Sequence, residues 1–131
     1  MRWLTKSELI FIHLRVIQET GGDTGILNES AIEACLLRPF ATFEGHELYP
    51  NLLDKVAALI HGIITAHPFV DGNKRVALVA ADVCLRINGK RIRPSSEVEA
   101  FFWSIARGEQ SVEQIRDWLV QHTQDIEVRQ A

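Results

Sequence analysis

The stretch His67-Pro68-Phe69-Val70-Asp71-Gly72-Asn73-Lys74-Arg75 brings a histidine, a carboxylate, an amide and two cations into one short segment. Histidine is the side chain whose ordinary pKa suits proton transfer at neutral pH, so His67 is the candidate general base. Asp71 supplies a single carboxylate. Mg²⁺ is commonly held by one or two carboxylates and completes its shell with substrate phosphates and water. Lys74 offers a mobile point charge and Arg75 a rigid fork, and both match phosphate oxygens. Asn73 either donates to a phosphate oxygen or orients the loop. A base, a metal ligand and an anion site together are what phosphorus-group transfer requires.

Two helices must hold this segment. Pro68 disfavours helical geometry at His67, so the preceding helix ends there. Gly72 and Asn73 open the next helix, whose first N–H groups lack intrahelical partners and carry the positive end of the dipole. That is a cradle for phosphate. Lys74 and Arg75 oppose the dipole in the same turn, which favours an anion beside them. The flanking helices are expected over about Leu52–Ala66 and Asn73–Ile87. Leu53, Val56, Ile60 and Ile63 repeat at helical spacing in the first, and Val76, Ala80, Val83 and Ile87 in the second. Both are apolar over much of their circumference, which marks them as the central pair.

The outer elements follow from caps and breakers. Thr5-Lys6-Ser7-Glu8 reads as a capping box, with Leu4 and Leu9 as its hydrophobic staple, and Gly21-Gly22 stops that helix. Asn28 caps a short helix over Ala31–Leu37 that Pro39 ends. Phe40–Pro50 has no helical period and suggests an extended flap, with a small hairpin around Glu44-Gly45. Ser96–Glu99 and Ser111–Gln114 read as further capping boxes, opening helices that carry Phe101, Phe102, Trp103 and Ile105, then Ile115, Trp118 and Leu119. The tail after Thr123 is polar and is expected to fray. The expected fold is all-α, a helix bundle with two central helices and one flap, in a single domain over residues 1–131.

Composition narrows the class. With 47% apolar and 24% charged residues the chain is globular, and a net charge of −3 argues against a dedicated nucleic-acid binder. Cys35 and Cys84 stand apart without metal-type spacing and read as small buried hydrophobes of a reducing compartment. The start has no apolar signal core, and no stretch is long enough to span a bilayer, so a cytoplasmic location is expected.

The string HPFVDGNKR resembles the signature loop of the Fic superfamily, HxFx(D/E)GNGRxxR. Gly21-Gly22, Arg38-Pro39-Phe40, Leu48-Tyr49-Pro50 and Leu85–Gly89 extend the resemblance to the death-on-curing (Doc) branch, over about Leu4–Ile92. The resemblance implies a Fic-type bundle in which His67 deprotonates a target hydroxyl, Asp71 holds Mg²⁺, and Gly72, Asn73 and Arg75 form the anion hole. Fic proteins usually transfer AMP from ATP to a Ser, Thr or Tyr hydroxyl. Two positions depart from that pattern: Lys74 replaces its second glycine and Leu78 its second arginine. Both departures are those of the Doc branch, whose toxins bind ATP reversed and move its γ-phosphoryl group to elongation factor Tu. Gly72 stays with the general Fic pattern, where Doc toxins often carry alanine. The resemblance therefore implies a phosphotransferase toxin of a type II toxin–antitoxin pair. No inhibitory pattern Ser/Thr-x-x-x-Glu-Gly/Asn occurs, since Ser95–Glu99 is followed by Ala100, which implies a separate antitoxin as the brake.

Rival readings stay in view. AMP transfer keeps the fold and is favoured by Gly72. A non-catalytic nucleotide- or peptide-binding module has no need of His67. A metal-dependent hydrolase would use His61, His67 and Asp71. His61 and His13 read more simply as structural histidines, and His46 as a flap residue touching substrate or solvent. Asp82 is expected to pair with an arginine or a backbone end, and the aromatic residues of the last two helices to be core, with one free to line a partner groove.

Overall fold

The computed structural model describes residues 1–127. Among the described residues six helices run in chain order: α1 (Lys6–Thr20), α2 (Glu29–Leu37), α3 (Leu52–Ala66), α4 (Asn73–Arg86), α5 (Glu97–Ala106) and α6 (Val112–His122). A 3₁₀ turn, Arg38–Phe40, follows α2. Two small antiparallel sheets join them, β1 (Thr42–Phe43) with β2 (His46–Glu47), and β3 (Lys90–Ile92) with β4 (Thr123–Asp125).

The expected central pair is observed. Val56 to Ile60 of α3 are fully buried, as are Val76, Ala77, Ala80 and Ala81 of α4. Small alanines on α4 let it approach α3 closely, while α2, α5 and α6 surround α3 and α1 covers α4. Both ends of the active segment are thereby fixed by helices that cannot shift without disturbing the core.

Caps explain where the outer helices start. Thr5 Oγ1 accepts from Glu8 N–H, Glu8 Oε1 accepts from Thr5 N–H, and Leu4 and Leu9 are both buried beneath that box. Ser111 and Gln114 form the same reciprocal box on α6, and Asn28 Oδ1 caps α2 by accepting from Ala31 N–H. The box expected at Ser96 does not form. Ser96 has helical backbone angles, and Ser95 Oγ accepts from Glu97 N–H in its place.

The flap is a two-residue hairpin with Thr42 opposite Glu47 and Phe43 opposite His46. Glu44 and Gly45 both have positive φ, 51° and 80°, as a tight hairpin turn of matching twist demands. Its base is tied to α3 by the buried Lys55, whose Nζ meets Glu47 Oε1 at 2.9 Å and donates to the carbonyls of Pro39 and Tyr49.

The second sheet corrects the sequence expectation at Thr123. Residues 123–125 do not fray but pair with β3, in the register Ile92 to Thr123, Arg91 to Gln124 and Lys90 to Asp125. Neither strand has an alternating apolar pattern, and their partners lie far apart in the chain, so period alone gives no signal. The end of the tail, residues 128–131, lies outside the described residues. Both cysteines are free and buried, and burial pushes the Cys84 thiol up to about 12, far from reactive. Among the described residues, no helix is long and apolar enough to cross a membrane.

Candidate active site

The loop between α3 and α4 is built from its backbone outward. His67 closes α3 in the left-handed region, φ 53° and ψ 58°, with its N–H still bonded to Ile63 O. Positive φ is uncommon for a residue with a side chain and marks a conformation that its surroundings impose. Pro68 excludes helical continuation, its carbonyl accepts from Leu27 N–H and Asn28 N–H, and Val70 N–H donates to Gly25 O. Phe69 is fully buried, which contributes about 2–3 kcal/mol of anchoring. Its ring stacks on His13 at 3.9 Å between centroids.

His13, buried in α1, also has Nε2 at 3.0 Å from Asp71 O, so it serves the loop as a structural donor. Asn73 takes the orienting role rather than a side-chain role on phosphate. Its Oδ1 accepts from Phe69 N–H at 3.1 Å and its Nδ2 donates to Phe69 O at 2.8 Å. What it still offers an anion is its backbone N–H.

That N–H belongs to an open helix start. Gly72 stands at the N-cap of α4 with φ 82° and provides no side-chain cap, and the first internal bond is Val76 N–H to Gly72 O. The amides of Asn73, Lys74 and Arg75 are thus left for an external acceptor. A Cβ at Gly72 would stand 3.1 Å from Ile17 Cδ1, so the positive φ favours glycine and a larger residue would need Ile17 to give by a few tenths of an ångström.

Asp71 is exposed, and Asp23 N–H donates to its Oδ2 at 2.7 Å. This bond aims the carboxylate while Oδ1 remains for a cation. A Cβ at Gly22 would fall 3.1 Å from Asp71 Cβ, so the second glycine after α1 leaves room for that carboxylate. One oriented carboxylate beside an anion cradle fits the Mg²⁺ pattern, in which phosphates supply other ligands.

A cleft of about 680 Å³ unites these groups. His67, Asp71, Gly72, Asn73, Lys74 and Arg75 all line it, with Gly21 and Gly22 on one side and Trp103 of α5 on another. Lys74 Nζ lies 4.4 Å from the Trp103 ring centroid and 3.9 Å from Glu99 Oε1. Arg75 is exposed.

His61 does not join this cleft. Its Nδ1 sits 3.0 Å from Arg38 Nη1, which must donate, so His61 is held neutral at that nitrogen. Burial, then the Arg38 charge, lowers its pKa, with Glu113 opposing. Among the described residues no cluster of three or more metal-type side chains forms, and the hydrolase built on His61, His67 and Asp71 has no geometric basis. Asp82 is paired as expected, to Arg86 Nε at 2.6 Å and to Ile92 N–H at 3.2 Å. His46 is exposed on the flap.

The model of the Fic/DOC family matches residues 3–85, more than half of the chain. This chain belongs to the Fic/DOC family. It is 33% identical over 119 residues to the protein kinase doc of Escherichia phage P1, covering 91% of this chain and 94% of that one. It is 39% identical over 79 residues to the toxin Doc of Mycolicibacterium smegmatis, covering 60% of this chain and 61% of that toxin.

His13 is structural, as its place on the apolar side of α1 suggests, whereas two residues that shape the cleft escape sequence reasoning: Asp23, whose backbone aims Asp71, and Trp103. Asp23 acts through its main chain, which no side-chain pattern reports. Trp103 sits in an aromatic run expected to be core. Phe102 beside it is core, whereas Trp103 is 50% exposed and faces the cleft.

Proposed function

We propose that this protein is a Doc-type toxin that transfers the γ-phosphoryl group of ATP to a hydroxyl of a target protein. The observation that carries this reading is Lys74. Its side chain lines the cleft at the mouth of the open α4 start, where the AMP-transferring pattern has a glycine. The α4 amides and Arg75 receive the phosphates, and Lys74 adds charge at one end. Asp71 would hold Mg²⁺, which when bound would supply charge neutralisation for the phosphates. His67, at the rim of the same cleft, takes the proton of the target hydroxyl. The oxygen forms its bond to the γ-phosphorus, the bond to the β-phosphate oxygen breaks, and ADP leaves.

Elongation factor Tu is the target the family resemblance favours, which makes the outcome a block of translation in the cytoplasm. A cognate antitoxin protein restrains the enzyme. The name of the Mycolicibacterium smegmatis relative supports a toxin, and the name of the phage protein supports a kinase. AMP transfer is the second reading, favoured by Gly72, which the general Fic pattern shares and whose left-handed backbone opens α4.

The experiment is expression of this chain alone in bacteria, followed by mass spectrometry of the modified protein. Growth arrest with a phosphate added to the target supports the proposal, and a nucleoside monophosphate identifies AMP transfer. Normal growth at high expression contradicts the toxin reading.

A further inference from the structure

We propose that Trp103 is a positioning residue for phosphate binding, holding the Lys74 ammonium at the α5 wall of the cleft. The inference rests on the reading that nucleotide phosphates occupy this cleft. Lys74 lies in the first turn of α4, where the dipole repels a cation, and its four-carbon stem is free to swing into solvent. The structure nevertheless places Nζ 4.4 Å above the centre of the Trp103 ring and leaves the Lys74 side chain only 21% exposed. A cation over an indole face within about 6 Å is held by the ring quadrupole.

Two groups of α5 compete for credit, and their magnitudes differ. Glu99 reaches Lys74 only at 3.9 Å and its side chain is 70% exposed, so water screens the pair. Trp103 presents an uncharged face that keeps its attraction at physiological salt and adds no negative charge to an anion site. It also lines the cleft, one helical turn along from Glu99, so the ammonium it holds faces the space a phosphate would enter. Trp103 therefore lowers the entropy cost of ordering Lys74 on ligand binding. Glu99 contributes little.

The test is a double-mutant cycle on binding of ATP with Mg²⁺, read by calorimetry on the full chain. Trp103→Leu weakens binding about tenfold, the upper range of a partly desolvated cation–π contact. Trp103→Phe, which keeps a weaker ring face, stays within about threefold of wild type. In a Lys74→Met background, Trp103→Leu has no further effect. A full loss in that background shows that Trp103 touches the nucleotide itself, and no loss in the wild-type background shows that it positions nothing; either result overturns the inference. A nucleotide-free readout separates this from failure of the functional reading. The Lys74 ε-methylene proton resonances are displaced upfield by the Trp103 ring current, and Trp103→Leu returns them to ordinary values. If wild type binds no ATP, the functional reading and this inference fall together, whereas ATP binding without ring-current displacement sinks this inference alone.

Discussion

Asn73 grips Phe69 from both sides, accepting from its N–H at 3.1 Å and donating to its carbonyl at 2.8 Å. The first residue of α4 thereby fixes the residue two places after His67. The loop that carries His67 and the open start of α4 are thus parts of one hydrogen-bonded unit, and the Phe69 ring pins that unit in the core.

Breaking this grip should damage stability and activity together. Asn73→Ala leaves the N–H and C=O of a fully buried residue unpaired. The expected loss is about 2–3 kcal/mol in urea denaturation. Transfer activity should fall more than the unfolded fraction explains, because His67 loses its fixed orientation. Native stability in Asn73→Ala contradicts the assignment.

Gly72→Ala should cost about 1–2 kcal/mol, from the left-handed backbone and from the 3.1 Å approach of the new Cβ to Ile17 Cδ1. Ile17→Val removes that atom, so in its background the added cost of Gly72→Ala should shrink without vanishing. Thermal melting of the four proteins reads the coupling.

A pH dependence follows from His61. Burial and Arg38 depress its folded pKa below the ordinary value, so the unfolded chain takes up the proton first. Its contribution to stability is present above the ordinary histidine pKa of about 6.5 and is lost as pH falls through that value toward the depressed one. His61→Gln, which can still accept from Arg38, should flatten the decline in melting temperature between about pH 7.5 and 5.5. An unchanged slope removes His61 from the account.

Lys55→Met should loosen the flap, because the carbonyls of Pro39 and Tyr49 lose a buried donor and Glu47 loses its ion pair. The expected loss is about 1–3 kcal/mol. Hydrogen exchange should rise most in Thr42–Glu47, with the α4 amides protected as before. Uniform exchange across the chain contradicts a local role.

The parts of this fold that sequence reading reaches are those specified by neighbours in the chain. Thr5 and Glu8 define the start of α1, Pro68 the end of α3, and the run HPFVDGNKR the loop that lines the cleft. What it misses depends on distant partners. β4 pairs with a strand more than thirty residues earlier, and the aim of Asp71 depends on a backbone N–H from the α1–α2 loop. Lys74 illustrates both cases. Its charge beside a helix start is legible, but the ring that holds it lies on another helix. Asn73 left two roles open, and only its distances to Phe69 select the orienting one.

The proposed reaction is γ-phosphoryl transfer with His67 as base. It is tested most directly by incubating the protein with purified elongation factor Tu and Mg²⁺, with ATP labelled in parallel at its γ- or α-phosphate. Only the γ label is expected to reach the target, and His67→Ala to lower transfer by about 10²–10⁴-fold. Transfer of the α label, or γ transfer undiminished in His67→Ala, would contradict it.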